Sequence, residues 1–399
     1  FEAYIEAQVY LKAKVLFFEK EAKWEIGKME LYPHFGGSKA AMMTIDKDDM
    51  RMMSRDYLNN QTKQAKTMAT TVAPIDKQSV YPYGTPKLTT LFNGNILAVW
   101  VDDDGKKTDA NRTTLFYSVY DGSSWTTPAA ICQSPYADFS AEVCQYGSHT
   151  GILWQRGAEV FTEDVTLDYM LAHTDLMFTA FDGTTFSAPV AVGTPDDNKY
   201  ETAYNIASDG TNLSIAWVEN SENDFSLSTG TNTINAQTLS EDTWQDAETV
   251  SGNAPGVSSL AVGYTGNRRD IAWCADTDCN LSTMGDTELF VNGTQITNNT
   301  VDDLNVKFEA GSFWYKSNGQ LVKLNADYSA TDSGIVFDGN YNIVSNGTTT
   351  AAVFTQSVDF ANEAMVAYQN ADGTFTTPVS LYSNGTLVNA FSTVMNVDG

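Results

Sequence analysis

The chain has 399 residues, 42% of them hydrophobic, and a formal charge of −27. That is enough apolar material for a large core, and the wrong sign for nucleic acid or anionic lipid. Apolar runs reach only about six residues, so no stretch can span a bilayer as a helix, and no cofactor fingerprint or basic aromatic platform is visible.

Residues 1–17 alternate strictly between apolar and polar, which predicts one long half-buried strand, and WEIGKMELY (24–32) is its antiparallel partner. A lone hairpin is barely stable in water, so residues 1–35 are expected to be the end of a preceding β-domain. Residues 36–66 lose the alternation and read as a Met-rich linker. The first 65 residues balance ten Lys/Arg against ten Asp/Glu, so the remainder carries the whole excess of negative charge.

From residue 67 to 399 one unit recurs. Its clearest copy spans 93–131: ILAVWV (96–101) and TLFYSVY (114–120) are β-branched and aromatic runs, and a third run ends at Ile131, with Asp/Gly/Asn/Ser punctuation between them. The turn YDGSSWTTP (120–128) returns at 181–189, 240–246 and 371–378. Trp100, Trp154, Trp217, Trp273, Trp314 and Phe354 mark one equivalent place in six copies. A repeat of about 40 to 60 residues with four short strands is the signature of a β-propeller blade. The fold class is therefore all-β, a propeller with six visible copies. A seventh blade is expected to begin at Val388, or residues 67–74 to return as a closing outer strand. A string of β-sandwiches is the competing architecture, but it gives no reason for an aromatic to recur every half-domain.

SVYDGSSW (118–125) resembles a degenerate Asp-box, the S-x-D-x-G-x-x-W hairpin of sialidase-like propellers. Ser118, Gly122 and Trp125 are in register, with the Asp displaced to 121. The resemblance covers the propeller only. It implies a module of a large bacterial secreted or surface protein, in a family that includes binding modules as well as enzymes. A sialidase-type site would need three converging arginines, a tyrosine nucleophile with a glutamate partner, and an aspartate acid/base. The propeller offers Arg112, Arg156, Arg268 and Arg269 in an acidic surround. The first reading is thus non-catalytic recognition or scaffolding outside the cell, with a protein or glycan partner; a sialidase-type glycoside hydrolase is the alternative.

The four cysteines form two close pairs, Cys132 with Cys144 and Cys274 with Cys279, which predicts two local disulfides; four unrelated small hydrophobes are the other possibility. In a four-stranded meander the loops after every second strand emerge on one face. Here those loops are long and acidic, with Asp102, Asp103, Asp104 and Asp109 in blade one and Glu159, Glu163, Asp164 and Asp168 in blade two. Glu219, Glu222 and Asp224 follow in blade three, and Asp276, Asp278 and Asp286 in blade four. Such a ring of carboxylates would bind a cationic partner, and Asp102, Asp104 and Asp109 are the candidate ligands for Ca²⁺. Ordinary solubilising charge is the simpler account of the same residues.

Overall fold

The computed structural model describes residues 86–193, 201–224, 227, 229–280, 283–358, 361–382 and 391–395. The N-terminal hairpin, the linker and residues 67–74 lie outside the described residues.

Six four-stranded antiparallel sheets form a six-bladed β-propeller. Sheet one is β1 (Lys87–Thr90), β2 (Ile96–Asp103), β3 (Thr113–Tyr120) and β4 (Ala129–Ala130). Sheet two is β5 (Asp138–Tyr146), β6 (His149–Gly157), β7 (Thr174–Phe181) and β8 (Val190–Val192). Sheet three is β9 (Glu201–Ser208), β10 (Leu213–Asn220), β11 (Asn232–Ser240) and β12 (Thr243–Trp244), with β13 (Glu248–Ala254) also pairing to β11. Sheet four is β14 (Gly256–Thr265), β15 (Arg268–Asp276), β16 (Thr287–Val291) and β17 (Thr294–Gln295). Sheet five is β18 (Asp303–Glu309), β19 (Ser312–Ser317), β20 (Gln320–Leu324) and β21 (Ala330–Val336), and sheet six is β22 (Tyr341–Ser345), β23 (Thr350–Val358), β24 (Ala361–Tyr368) and β25 (Val379–Tyr382). The α-helix among the described residues, α1 (Leu167–Ala172), has only six residues, so no helix there is long and apolar enough to cross a membrane.

The repeated Asp-Gly turns join the third and fourth strands. In the first copy Asp121 Oδ1 accepts from the backbone N–H groups of Ser123 and Ser124, both at 2.8 Å, and Gly122 takes φ +95°, which a β-carbon would strain. Ser124 N–H, then Ser123 N–H and hydroxyl, hold the Asp121 carboxyl down to about 2. Asp182 makes the same turn with Thr184 and Thr185. The aspartate of the box-like stretch is therefore a turn acceptor. Ser118, fully buried, donates its hydroxyl to Thr126 O, and Trp125 packs against Tyr120 with the rings tilted by 40°.

The six marker aromatics all stand on second strands, β2, β6, β10, β15, β19 and β23. Both faces of a blade are buried, so these strands read as near-continuous apolar runs; Leu213 to Asn220 is buried at every position. Trp154, Trp217, Trp273 and Phe354 fill the seam with the preceding blade. Trp100 lies on the corresponding face of β2, opposite Val99 and Val101, which pack toward sheet two. Trp314 departs from the column: it packs forward against sheet six, while its neighbours Phe313 and Tyr315 face back toward sheet four. One residue of slip moves a strand side chain to the other face.

The expected seventh blade falls on residues of which only 391–395 are described, and they are not in a strand. Phe391 and Met395 cover Ala351, Val353 and Val366 on sheet six, while Ser392 Oγ accepts from Leu88 N–H of sheet one at 3.0 Å. This segment therefore links the last blade to the first.

Candidate functional site

The loops after the second strands and the connections between blades do share one face. Lys107 Nζ, in the β2–β3 loop, donates to Tyr136 O in the connection to blade two at 2.7 Å. Asn111 binds Phe161 of the β6–β7 loop in both directions, donating to its O at 2.7 Å and accepting from its N–H at 2.9 Å. Ala110, Ala137, Phe161 and Met170 make a small apolar cluster beneath these loops.

On the blade one and two side, internal partners take up most of the expected binding residues. Asp102 is buried, accepting from Trp100 Nε1 at 3.2 Å and from Asp103 N–H at 2.8 Å. Asp103 and Asp109 both pair with Arg112, and Asp104 accepts from Lys106 N–H. Glu163 reaches Ala110 N–H at 3.4 Å; Asp164 is exposed, with its carboxyl lowered by the Thr162 hydroxyl. Glu159 accepts from the Tyr169 hydroxyl at 2.6 Å. In blade three Glu219 is buried and accepts from Trp217 Nε1 and Asn235 Nδ2, both at 2.9 Å, whereas Glu222 is exposed.

A rule emerges that was available in the sequence. An acid two residues after the marker tryptophan shares its strand face and caps its indole N–H, as in Trp100/Asp102 and Trp217/Glu219. In blade two Arg156 stands at that place and brings Asp138 with it. Asp138 Oδ1 accepts from Trp154 Nε1 at 2.8 Å and from Arg156 Nε at 2.7 Å. Blade four has Ala275 there, and Trp273 Nε1 is left without a partner.

Asp102, Asp104 and Asp109 are not drawn together. Among the described residues, the group of three or more acids, His or Cys with ligand atoms within 4.8 Å of one another is Asp276, Asp278 and Asp286. The single hydroxyl proton of Thr283 has Asn280 O at 2.7 Å, Asp286 Oδ2 at 2.9 Å and both Asp278 oxygens at 3.1 Å within its reach. Burial, then Asp278 and the charge on Asp286, push the Asp276 carboxyl up. The loop is shaped by Asp302 Oδ1, which accepts from the N–H groups of Gly285, Asp286 and Thr287. Gly285 has φ +81°, and a β-carbon there would stand 2.5 Å from Thr300 O. An open groove of about 340 Å³ lies alongside, lined in part by Met284, Val301, Asp302, Leu304 and Lys316. Two further acids that the sequence reading passed over sit below: Glu288 on β16 and Asp303 at the start of β18, both buried.

All four cysteines are free, which corrects the expected bridges Cys132–Cys144 and Cys274–Cys279. Cys274 points into the apolar seam between sheets four and five, while Cys279 is exposed in the loop. Cys144 packs toward sheet three, but Cys132 is 2.8 Å from Arg156 Nη2. Each pair is close in sequence, but one member faces a seam from a strand, Cys144 on β5 and Cys274 on β15, while its partner lies in a loop beyond the strand end. Burial pushes the thiols of Cys144 and Cys274 up to about 12, so neither is a nucleophile at neutral pH.

The first strands of the blades carry a second charged group. Lys87 pairs with Glu142 at 2.6 Å, joining blades one and two. Lys307 donates to Tyr341 O, and Glu309 accepts from Asn342 Nδ2 at 3.0 Å and from Ile343 N–H, joining blades five and six. Burial lowers the Lys307 ammonium and raises the Glu309 carboxyl, and each charge partly offsets the other's shift.

No protein-family model and no curated protein matches the chain. Among solved structures the chain is similar to Trypanosoma rangeli sialidase in complex with the inhibitor DANA, at 13% identity and a TM-score of 0.41, covering 75% of this chain and 55% of that one. The same sialidase with 2,3-difluorosialic acid aligns at 11% identity and a TM-score of 0.44, covering 73% and 55%. TolB from Acinetobacter baumannii aligns at 12% identity and a TM-score of 0.39, covering 73% and 65%. The chain thus spans little more than half the length of the sialidases it resembles.

Proposed function

We propose that the propeller is a non-catalytic recognition or scaffolding module of a larger secreted or surface protein, binding a protein or glycan partner through its acidic loop face. One observation carries this reading: each of the four propeller arginines is already held by a carboxylate. Arg112 binds Asp103 and Asp109, Arg156 binds Asp138, Arg268 binds Asp270, and Arg269 binds Glu248. The first two stand on the loop face, whereas Arg268 begins β15, at the turn on the opposite rim. A site that clamps an anionic sugar needs several arginines aimed at one point. Here they are spent on holding the blades.

The exposed acids of the loop face favour a cationic partner, with attraction that salt weakens. The test pairs two assays on the purified protein, hydrolysis of fluorogenic sialosides and other aryl glycosides, and binding to immobilised lysine-rich peptides at low and high salt. The reading expects no turnover and salt-sensitive binding. Turnover lost on substituting a loop-face carboxylate would establish the hydrolase instead.

A further inference from the structure

Glu288 is 3% exposed and Asp303 0%, and one oxygen of each, Oε2 and Oδ1, has no hydrogen-bond partner. Asn299 clasps both acids by their other oxygens: its backbone N–H donates to Glu288 Oε1 at 2.7 Å, and its Nδ2 to Asp303 Oδ2 at 3.3 Å. The hydroxyls of Ser317 and Thr297 stand near Asp303 and favour its charged form, but neither satisfies Oδ1. Glu288 belongs to the third strand of blade four and Asp303 to the first of blade five, so the pair sits in the joint between them. Their charges are close enough that Glu288 raises the Asp303 carboxyl, on top of the larger effect of burial.

Buried like charges with free oxygens are among the least favourable arrangements a folded chain can hold, and native structures relieve them with a partner. Elsewhere in this ring the partner is an arginine. Asp138 and Asp270 are as deeply buried, and hold Arg156 and Arg268. The cations nearest in sequence are engaged elsewhere, Arg268 with Asp270, Arg269 with Glu248 and Lys307 with Tyr341 O, and residues 271–306 contain Asp276, Asp278, Asp286, Glu288, Asp302 and Asp303 but no Lys, Arg or His. A water molecule could donate to both free oxygens yet would leave two negative charges facing each other. A proton would neutralise one carboxyl and leave the other charged. A divalent cation neutralises both and ligates both free oxygens. The oxygens at the pair, two carboxylates and the nearby hydroxyls of Ser317 and Thr297, are hard ligands, the set that suits Ca²⁺ over transition metals.

We propose that Glu288 and Asp303 are the core ligands of a Ca²⁺ site that staples blade four to blade five. It is distinct from the trio Asp276, Asp278 and Asp286, of which Asp278 is exposed and Asp286 partly so, and it stands independently of what the loop face recognises.

The test is calorimetric titration of the chelator-stripped protein with CaCl₂, together with thermal unfolding with and without Ca²⁺. One Ca²⁺ per chain is expected, with a rise in melting temperature of about 5 °C at a hundredfold excess over Kd. Glu288→Gln with Asp303→Asn should abolish both responses while melting in chelator at or above the wild-type temperature, because it removes the facing charges. Should the double variant fail to fold, Glu288→Gln alone must still lower the affinity at least tenfold. Asp278→Asn with Asp286→Asn should leave the tight site intact. The proposal is overturned if the wild type shows no Ca²⁺ response, whether or not Glu288→Gln stabilises it as a shared proton would require. It is also overturned if the response disappears with the trio and survives the double variant.

Discussion

The two acidic corners of the loop face look alike in composition and differ in what neutralises them. At blades one and two, four aspartates in residues 102–109 are interleaved with Lys106 and Lys107 and followed by Arg112, and nearly every carboxylate closes on a cation, an indole or a backbone N–H. At blades four and five, the stretch 271–306 has six acids and no base, so carboxylates meet carboxylates. The comparison teaches that acid count does not locate a binding site; the local shortage of counter-charge does.

Removing the counter-charge from the first corner should have the largest effect. Arg156→Ala strands Asp138, of which 1% is exposed, and is expected to destabilise the fold by about 3–5 kcal/mol in urea unfolding. Unchanged stability would mean that Trp154 alone satisfies Asp138. Next in size, Glu219→Ala leaves Trp217 Nε1 and Asn235 Nδ2 without their buried acceptor, a loss of about 2 kcal/mol by the same measurement. Glu222→Ala, three residues on and exposed, should cost nothing measurable.

A pH profile sharpens the contrast. The folded-state pKa of Asp303 lies above its unfolded value, so in chelator the stability it allows is fully present below the ordinary carboxylate range and is lost as pH rises through the raised folded value. Asp303→Asn should flatten that fall. Turn carboxylates such as Asp121, lowered to about 2, act oppositely: their contribution is present above the ordinary carboxylate value and lost as pH falls toward 2. If the wild type and Asp303→Asn have the same slope above pH 4, Asp303 holds no more protons folded than unfolded and is already charged in the folded protein. A small effect is expected of Arg112→Ala, which breaks a pair a third or more exposed and should cost about 1 kcal/mol or less in urea unfolding.

The repeat, the third-to-fourth-strand turns and five of the six marker aromatics were legible because the period of a blade is written in residues that must be apolar on both faces. Trp314 misled because Phe313, Trp314 and Tyr315 are all aromatic, so alternation could not say which pair faces back. Asp102 and Glu219 were read as ligands although the indole two residues earlier marks them as caps. Glu288 and Asp303 were missed because TELF and VDDL look like any strand entry next to surface charge. The signal that could have found them is the long interval without a base. Cysteine spacing carried no information on which member of each pair a strand would bury and which a loop would carry away.

The central claim is that counter-charge, not acidity, sorts the loop face, and Mn²⁺ used as a paramagnetic stand-in for a hard cation tests it directly. Backbone amide resonances recorded at sub-stoichiometric Mn²⁺ should broaden in residues 276–304, and remain sharp in residues 102–112 and 159–164. Broadening of equal strength at both corners, or confined to blade one, would contradict the account.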